Sequence, residues 1–315
     1  MSTSTTGTER SLLGDKLLRD VRQWLSPPDP WKNHNLARES WHSGTGTWWI
    51  HGDAHAKWKS SGPVSLLWIH GKRQYYVAEL FPKLIITVSP AGAGKSVIWY
   101  DTFYTSIREL MLSASSAIVE DIRTLQKSGL ASLAFFYFDF RDDQKKDQRG
   151  LLSSLLIQLC EQSDAYSTIL SDFYVAHGRG SQHASVGELV GCLKGMLKLP
   201  GQPRVHIIID ALDECPVTTG LPSPRGKVLK FVEELVILQI PDLRICVTSR
   251  PEADIMPILE PLAFHSVSLH SETGQVQDIA EYVKSVVHTG VEMQRWKDTD
   301  KQLVIDMLTK KANGM

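Results

Sequence analysis

Two short stretches constrain this chain more than anything else in its 315 residues. One is a Gly-rich turn, Pro90-Ala91-Gly92-Ala93-Gly94-Lys95-Ser96, and the other is an apolar run, Ile207-Ile208-Ile209, that ends in Asp210. In the first, bare glycines let backbone N–H groups approach phosphate oxygens, the Lys ammonium neutralises them, and the Ser hydroxyl is placed for Mg²⁺. In the second, a buried strand delivers a carboxylate to the same metal from a neighbouring position. Short Gly-rich strings arise by chance. Both strings, in this order and with strand and helix context between them, predict a nucleotide site.

The rest of the pattern predicts an α/β fold around a mostly parallel sheet. Apolar, β-branched and aromatic runs recur at 65–70, 130–140, 204–209, 243–248 and 264–270. They alternate with stretches whose apolar residues fall at i, i+3 and i+4: 118–126, 150–162, 185–199, 227–238 and 276–287. Such alternation is the signature of βαβ units. Upstream, Leu12, Leu13, Leu17, Leu18, Val21 and Leu25 keep helical spacing until Pro27-Pro28 stops them. Residues 26–58 are rich in Pro, His, Asn, Gly and Trp, and read as an ordered loop whose tryptophans 31, 41, 48, 49 and 58 pack as an apron on the next domain. The divisions are therefore 1–10, a disordered N-terminus; 11–63, a lead-in; 64–275, the core; and 276–315, a helical extension that reads as truncated.

The Gly-rich turn carries two irregularities. A full G-x-x-x-x-G-K-[ST] motif needs Gly six residues before Lys95, where the chain has Ser89. Looping out residues 73–90 joins Gly71-Lys72 to Ala91 and restores the motif directly behind Leu66-Leu67-Trp68-Ile69-His70. The alternative keeps Leu84 to Val88 as the first strand, with Ser89 in a turn it adopts only under strain. After Ser96 the expected helix is replaced by bulky β-formers and a Ser-rich end. Removing residues 98–115 joins Val97 to Ser116-Ala117-Ile118, a clean helix. The similar size of the two segments suggests translated introns in a mis-spliced gene model.

Composition excludes several classes. With 34 basic and 35 acidic residues the net charge is −1, so no global field recruits nucleic acid or an anionic membrane. No apolar run approaches the ~20 residues of a membrane helix. The first ten residues lack the apolar core of a secretory signal, which points to the cytoplasm. The four cysteines and eleven histidines show no metal-ligand spacing and no disulfide pattern, so buried thiols are expected.

These motifs, together with Trp24-Leu25-Ser26-Pro27-Pro28-Asp29-Pro30, Gly44-Thr45-Gly46-Thr47-Trp48, Phe135-Phe136-Tyr137-Phe138-Asp139-Phe140-Arg141-Asp142 and Val247-Thr248-Ser249-Arg250-Pro251, resemble the NACHT-type STAND P-loop NTPases, the nephrocystin-like NLR proteins of fungi. The resemblance implies a three-layer P-loop sandwich acting as an ATP/ADP switch with Mg²⁺. It further implies self-association through the NTPase module, with effector and sensor domains outside this chain. It places Gly71, Ala91, Gly92, Ala93, Gly94, Lys95 and Ser96 around the phosphates, and Ser96 and Asp210 on the metal. Asp213 or Glu214 would polarise the attacking water, and Arg250 would reach the γ-phosphate. The rival expectation is a scaffold that keeps this fold but, with its phosphate loop interrupted, binds no nucleotide. A small-molecule kinase is disfavoured because no second substrate pocket is visible in the motifs.

Overall fold

A computed structural model of the chain describes residues 16–39, 50, 52–60, 64–71, 114–217, 222–268 and scattered positions between 284 and 306. Five strands form one parallel sheet in the order β2-β3-β4-β1-β5. They are β1 (Val64–His70), β2 (Ala131–Tyr137), β3 (Arg204–Asp210), β4 (Leu243–Ser249) and β5 (His265–Ser268). The register runs unbroken along β2 and β3, with Tyr137 opposite Asp210, and along β1 and β4, with His70 opposite Ser249.

Each inner strand is predominantly apolar because both faces of the sheet are covered. Successive residues point to opposite sides. Leu66, Trp68, Ala134, Phe136, Ile207 and Ile209 join one buried cluster, and Leu67, Ile69, Phe135, Tyr137 and Ile208 join the other. The first face is covered by α1 (residues 16–25), α5 (Gln148–Cys160), α6 (Asp164–Ala176), α7 (Val186–Leu197), α8 (Pro224–Ile237) and α9 (Met256–Leu262). The second carries α2 (Trp31–Glu39), α3 (Asp53–Ser60) and α4 (described over 114–127). The result is a three-layer α/β sandwich.

Local chemistry sets the helix starts. Asp147 caps α5 by accepting from the Gly150 N–H at 2.9 Å. Ser185 and Glu188 form a reciprocal capping box on α7, and Ser223 caps α8 with Pro224 just inside.

The structure revises several expectations. The stretch 26–58 is not a continuous loop, since α2 lies within it and α3 runs through its last six residues. Their polar, His-rich sequences carry no strong helical period, and packing on the sheet decides them. Of the tryptophan apron, Trp58 is fully buried, donating from Nε1 to the Ser65 and Ile245 carbonyls at 3.2 and 3.0 Å. Trp31 packs edge-on against Phe135 at 4.8 Å. Tryptophans 41, 48 and 49 lie outside the described residues. Helix α6 went unrecognised among Tyr, Thr, Phe and Val, although its buried Tyr166, Leu170 and Tyr174 recur every four residues. Helix α9, seven residues with Pro261 inside, was also missed. All four cysteines are free and buried.

Candidate functional site at the ends of the strands

All strands of a parallel sheet end at one edge, and open α/β sheets use that edge for ligands. There β3 ends on Asp210, which is 1% exposed. Thr248 on the neighbouring strand donates from Oγ1 to Asp210 Oδ1 at 2.6 Å, and the same oxygen accepts from the Ala211 N–H at 2.9 Å. A second hydroxyl, from Ser115 in the first described turn of α4, also hydrogen-bonds the carboxyl. Burial pushes the Asp210 pKa up to about 7, and the nearby Asp213 and Glu214 charges add to this, while the two hydroxyls oppose it.

Immediately beyond, Ala211 adopts the left-handed conformation, φ 53° and ψ 44°, which an L-residue with a Cβ rarely holds. This turn opens a short 3-10 helix, Leu212–Glu214, that carries the other two acids. Strain at the mouth of a sheet is a feature of ligand sites. Asp213 accepts from the Arg250 backbone N–H at 3.0 Å, and its other oxygen pairs with Arg250 Nε at 3.3 Å. Glu214 accepts from the Phe140 N–H at 3.4 Å. Arg250 thus pairs with Asp213, whereas Asp254 pairs with Arg225 at 3.1 Å.

The exits of β2 and β1 complete the edge. Burial alone would raise the Asp139 carboxyl, but hydrogen bonds from Arg141 and Asn33 outweigh it and hold the group at about 2. On β1, Trp68 Nε1 donates to Ser249 Oγ at 2.9 Å, His70 meets Ser266 Oγ at 3.2 Å, and buried Gly71 follows. The strand leading to Gly71 is therefore Val64–His70, seated between β4 and β5. Ala91, Gly92, Ala93, Gly94, Lys95 and Ser96, and Leu84 to Val88, lie outside the described residues. So do residues 73–90 and 98–113 of the two suspected inserts. Ala114 and Ser115, assigned to the second insert by sequence, belong to α4.

The structure brings Asp210, Asp213, Glu214 and Arg250 together at one edge. It adds three residues that sequence reasoning missed: Ser115, Thr248 and Tyr137. Thr248 had a faint signal as a polar residue in an apolar strand, and Ser115 sat in a stretch read as foreign. A hard divalent cation fits this donor set, because Asp210 is buried beside hydroxyl oxygens and a cation would keep it ionised. Among the described residues no group of three or more His, Cys, Asp or Glu side chains could hold a metal. From the described residues a Mg²⁺ at Asp210 would gain hydroxyl oxygens, and Mg²⁺ usually keeps water or phosphate oxygens as well.

A five-stranded parallel sheet flanked by helices, with a buried carboxylate at the end of β3, defines an α/β protein of P-loop NTPase-like architecture. Residues 82–250 match the family described as nephrocystin 3, N-terminal, and the chain belongs to that family. The match takes in Lys95, Asp210, Asp213, Glu214 and Arg250 but begins after β1. It thus includes Leu84 to Val88, which lie outside the described residues, and leaves out Val64–His70. None of the curated proteins compared with the chain matches it. No helix among the described residues is long and apolar enough to cross a membrane.

Proposed function

We propose that this chain binds Mg²⁺-ATP and ADP at the carboxyl edge of its sheet, with slow hydrolysis, as the switch module of a NACHT/STAND-type signalling protein. The observation that carries this reading is Asp210: a fully buried carboxyl at a strand end, oriented by Thr248 and Ser115, with its pKa raised to about 7. A buried acid without a cation is costly. Metal and phosphate chemistry explains why one is kept there. In this reading Lys95 and the Gly92–Gly94 amides hold the phosphates, Ser96 and Asp210 hold Mg²⁺, and Glu214 or Asp213 polarises water. Arg250, paired with Asp213, reports the γ-phosphate. Self-association through the same module, and effector and sensor partners elsewhere, belong to the proposal.

The test is an equilibrium titration of the full chain with fluorescent ATP and Mg²⁺, beside Lys95→Ala and Asp210→Asn. Loss of affinity in both variants, with folding intact, is expected. Unchanged affinity in both would remove this edge from nucleotide binding. One observation favours the second reading, a nucleotide-free scaffold: the Asp210 carboxyl is already hydrogen-bonded by the Thr248 and Ser115 hydroxyls. A chain lacking residues 73–90 and 98–113, which retains Ser115, separates the two. Binding only by the shortened chain would assign nucleotide recognition to that form and leave the 315-residue chain a scaffold.

A further inference from the structure

Helix α2 reaches the interior of the site through one buried hydrogen-bonded chain. His34, wholly buried on α2, places Nδ1 at 3.0 Å from the Tyr137 hydroxyl and Nε2 at 3.0 Å from Glu120 Oε1. The Tyr137 hydroxyl lies 3.2 Å from Ser116 Oγ and also meets Ser115. Ser115 in turn hydrogen-bonds Asp210, the register partner of Tyr137 on the adjacent strand.

Elementary donor counting fixes the polarity of this chain. Burial lowers the His34 pKa, so the ring is neutral and carries one N–H. The Glu120 carboxyl, though burial works to raise it, is held below its usual range by His34, Arg38 and Arg123, so it is an ionised acceptor. His34 must then donate from Nε2 to Glu120 and accept at Nδ1. Tyr137 must spend its only proton on Nδ1, and so Ser116 must donate to the phenolic oxygen. The Tyr137 and Ser116 hydroxyls thus each have one assigned direction, while the single Ser115 proton serves either Tyr137 or Asp210.

The neighbours of His34 anchor α2 to the same strand. Trp31 abuts Phe135, and Asn33 donates to Asp139 Oδ2 at 3.2 Å while accepting from the buried Lys145 ammonium. Three residues of α2 therefore contact alternate residues Phe135, Tyr137 and Asp139 along β2 and its exit.

We infer that His34 and Tyr137 are positioning residues for the metal side of the site, coupling α2 to Asp210 through Ser115 and Ser116. This inference rests on the nucleotide reading for its function. The geometry requires that a cation or phosphate which reorients the Asp210 or Ser115 hydrogen bonds changes the energy of the His34 contact, and coupling of this kind is reciprocal.

Two readouts test it on the full chain. The first is the ¹⁵N spectrum of the His34 imidazole, which reports its tautomer without any ligand. It should show Nε2–H, and Asp210→Asn and Ser115→Ala should each move its ring-nitrogen shifts. The second is Mg²⁺-ATP affinity in Tyr137→Phe and Glu120→Gln. Both variants conserve side-chain volume and are chosen because His34→Ala risks misfolding. Each should weaken binding by about tenfold, while Arg22→Gln, on an exposed pair with Glu161 away from this chain, should not. Equal affinities in all variants, or a His34 spectrum indifferent to Asp210→Asn and Ser115→Ala, would overturn the inference. If the native chain binds no nucleotide, the nucleotide reading fails, and the His34 spectrum alone decides whether the relay exists.

Discussion

Thr248 and Asp210, on adjacent parallel strands, share a 2.6 Å hydrogen bond in which the threonine hydroxyl is fully committed: it donates to the carboxyl and accepts from the Ala211 N–H. This one oxygen orients the acid and pins the strained turn after it.

The first prediction concerns pH. The Asp210 pKa is raised from 3.8 to about 7, so the group adds stability that is fully present below about pH 3.8 and lost as pH rises through 7. Asp210→Asn should make the ligand-free protein more stable at pH 8 than the native chain, on the order of 2–4 kcal/mol, and flatten its stability between pH 4 and 7. Urea unfolding across that range checks it. An Asn variant less stable at pH 8 would contradict the buried, cation-free carboxyl.

His206 acts in the opposite direction. Buried edge-on against Trp58 at 5.6 Å, its imidazole is depressed from 6.5 to about 3, chiefly by burial and then by Arg204 and Arg244. Its contribution is complete above pH 6.5 and disappears as pH falls toward 3. His206→Leu should remove an acid-induced loss on the order of 2–4 kcal/mol. Comparing both proteins at pH 7 and pH 4 reveals it, and parallel losses in the two would place the acid sensitivity elsewhere.

Arg250 and Asp213 are tied by a pair whose arginine side is 40% exposed. Replacing Arg250 with Gln should cost less than about 1 kcal/mol of folding stability. In the proposed ATPase it should lower turnover by on the order of 10–100-fold. Thermal unfolding and phosphate release measure the two separately; a large stability loss with unchanged turnover would make the pair structural.

Ala211 holds φ 53°. Ala211→Gly relieves the Cβ clash of that conformation and should stabilise the ligand-free chain by up to about 1 kcal/mol. If the strain presents Asp210, nucleotide affinity falls as stability rises. Chemical denaturation and the ATP titration together report both.

Burying Trp58 joins α3 to the sheet through two carbonyls of different strands. Trp58→Phe leaves the Nε1 partners unmet and a gap beside His206, and should cost about 1–3 kcal/mol. Guanidinium unfolding tests this, and a neutral outcome would show that the two carbonyls find other donors.

What the sequence alone determined was whatever local periodicity and motif chemistry encode. Predominantly apolar runs announced the strands, because burial on both faces favours apolar residues there, and Asp210 stood out as a charge at the end of such a run. The tertiary structure decided what depends on neighbours distant in sequence. Helices α2 and α3 are held by partners distant in sequence, His34 on Tyr137 of β2, Asn33 on Asp139 just beyond it, and Trp58 on Ser65 of β1 and Ile245 of β4, rather than by their own helical propensity. Ser115 became a partner of Asp210 only when α4 packed over β3, and Thr248 became an orienting donor only through strand adjacency. A hydrogen bond between residues 38 positions apart leaves no periodic trace in a chain, so only the fold could reveal it.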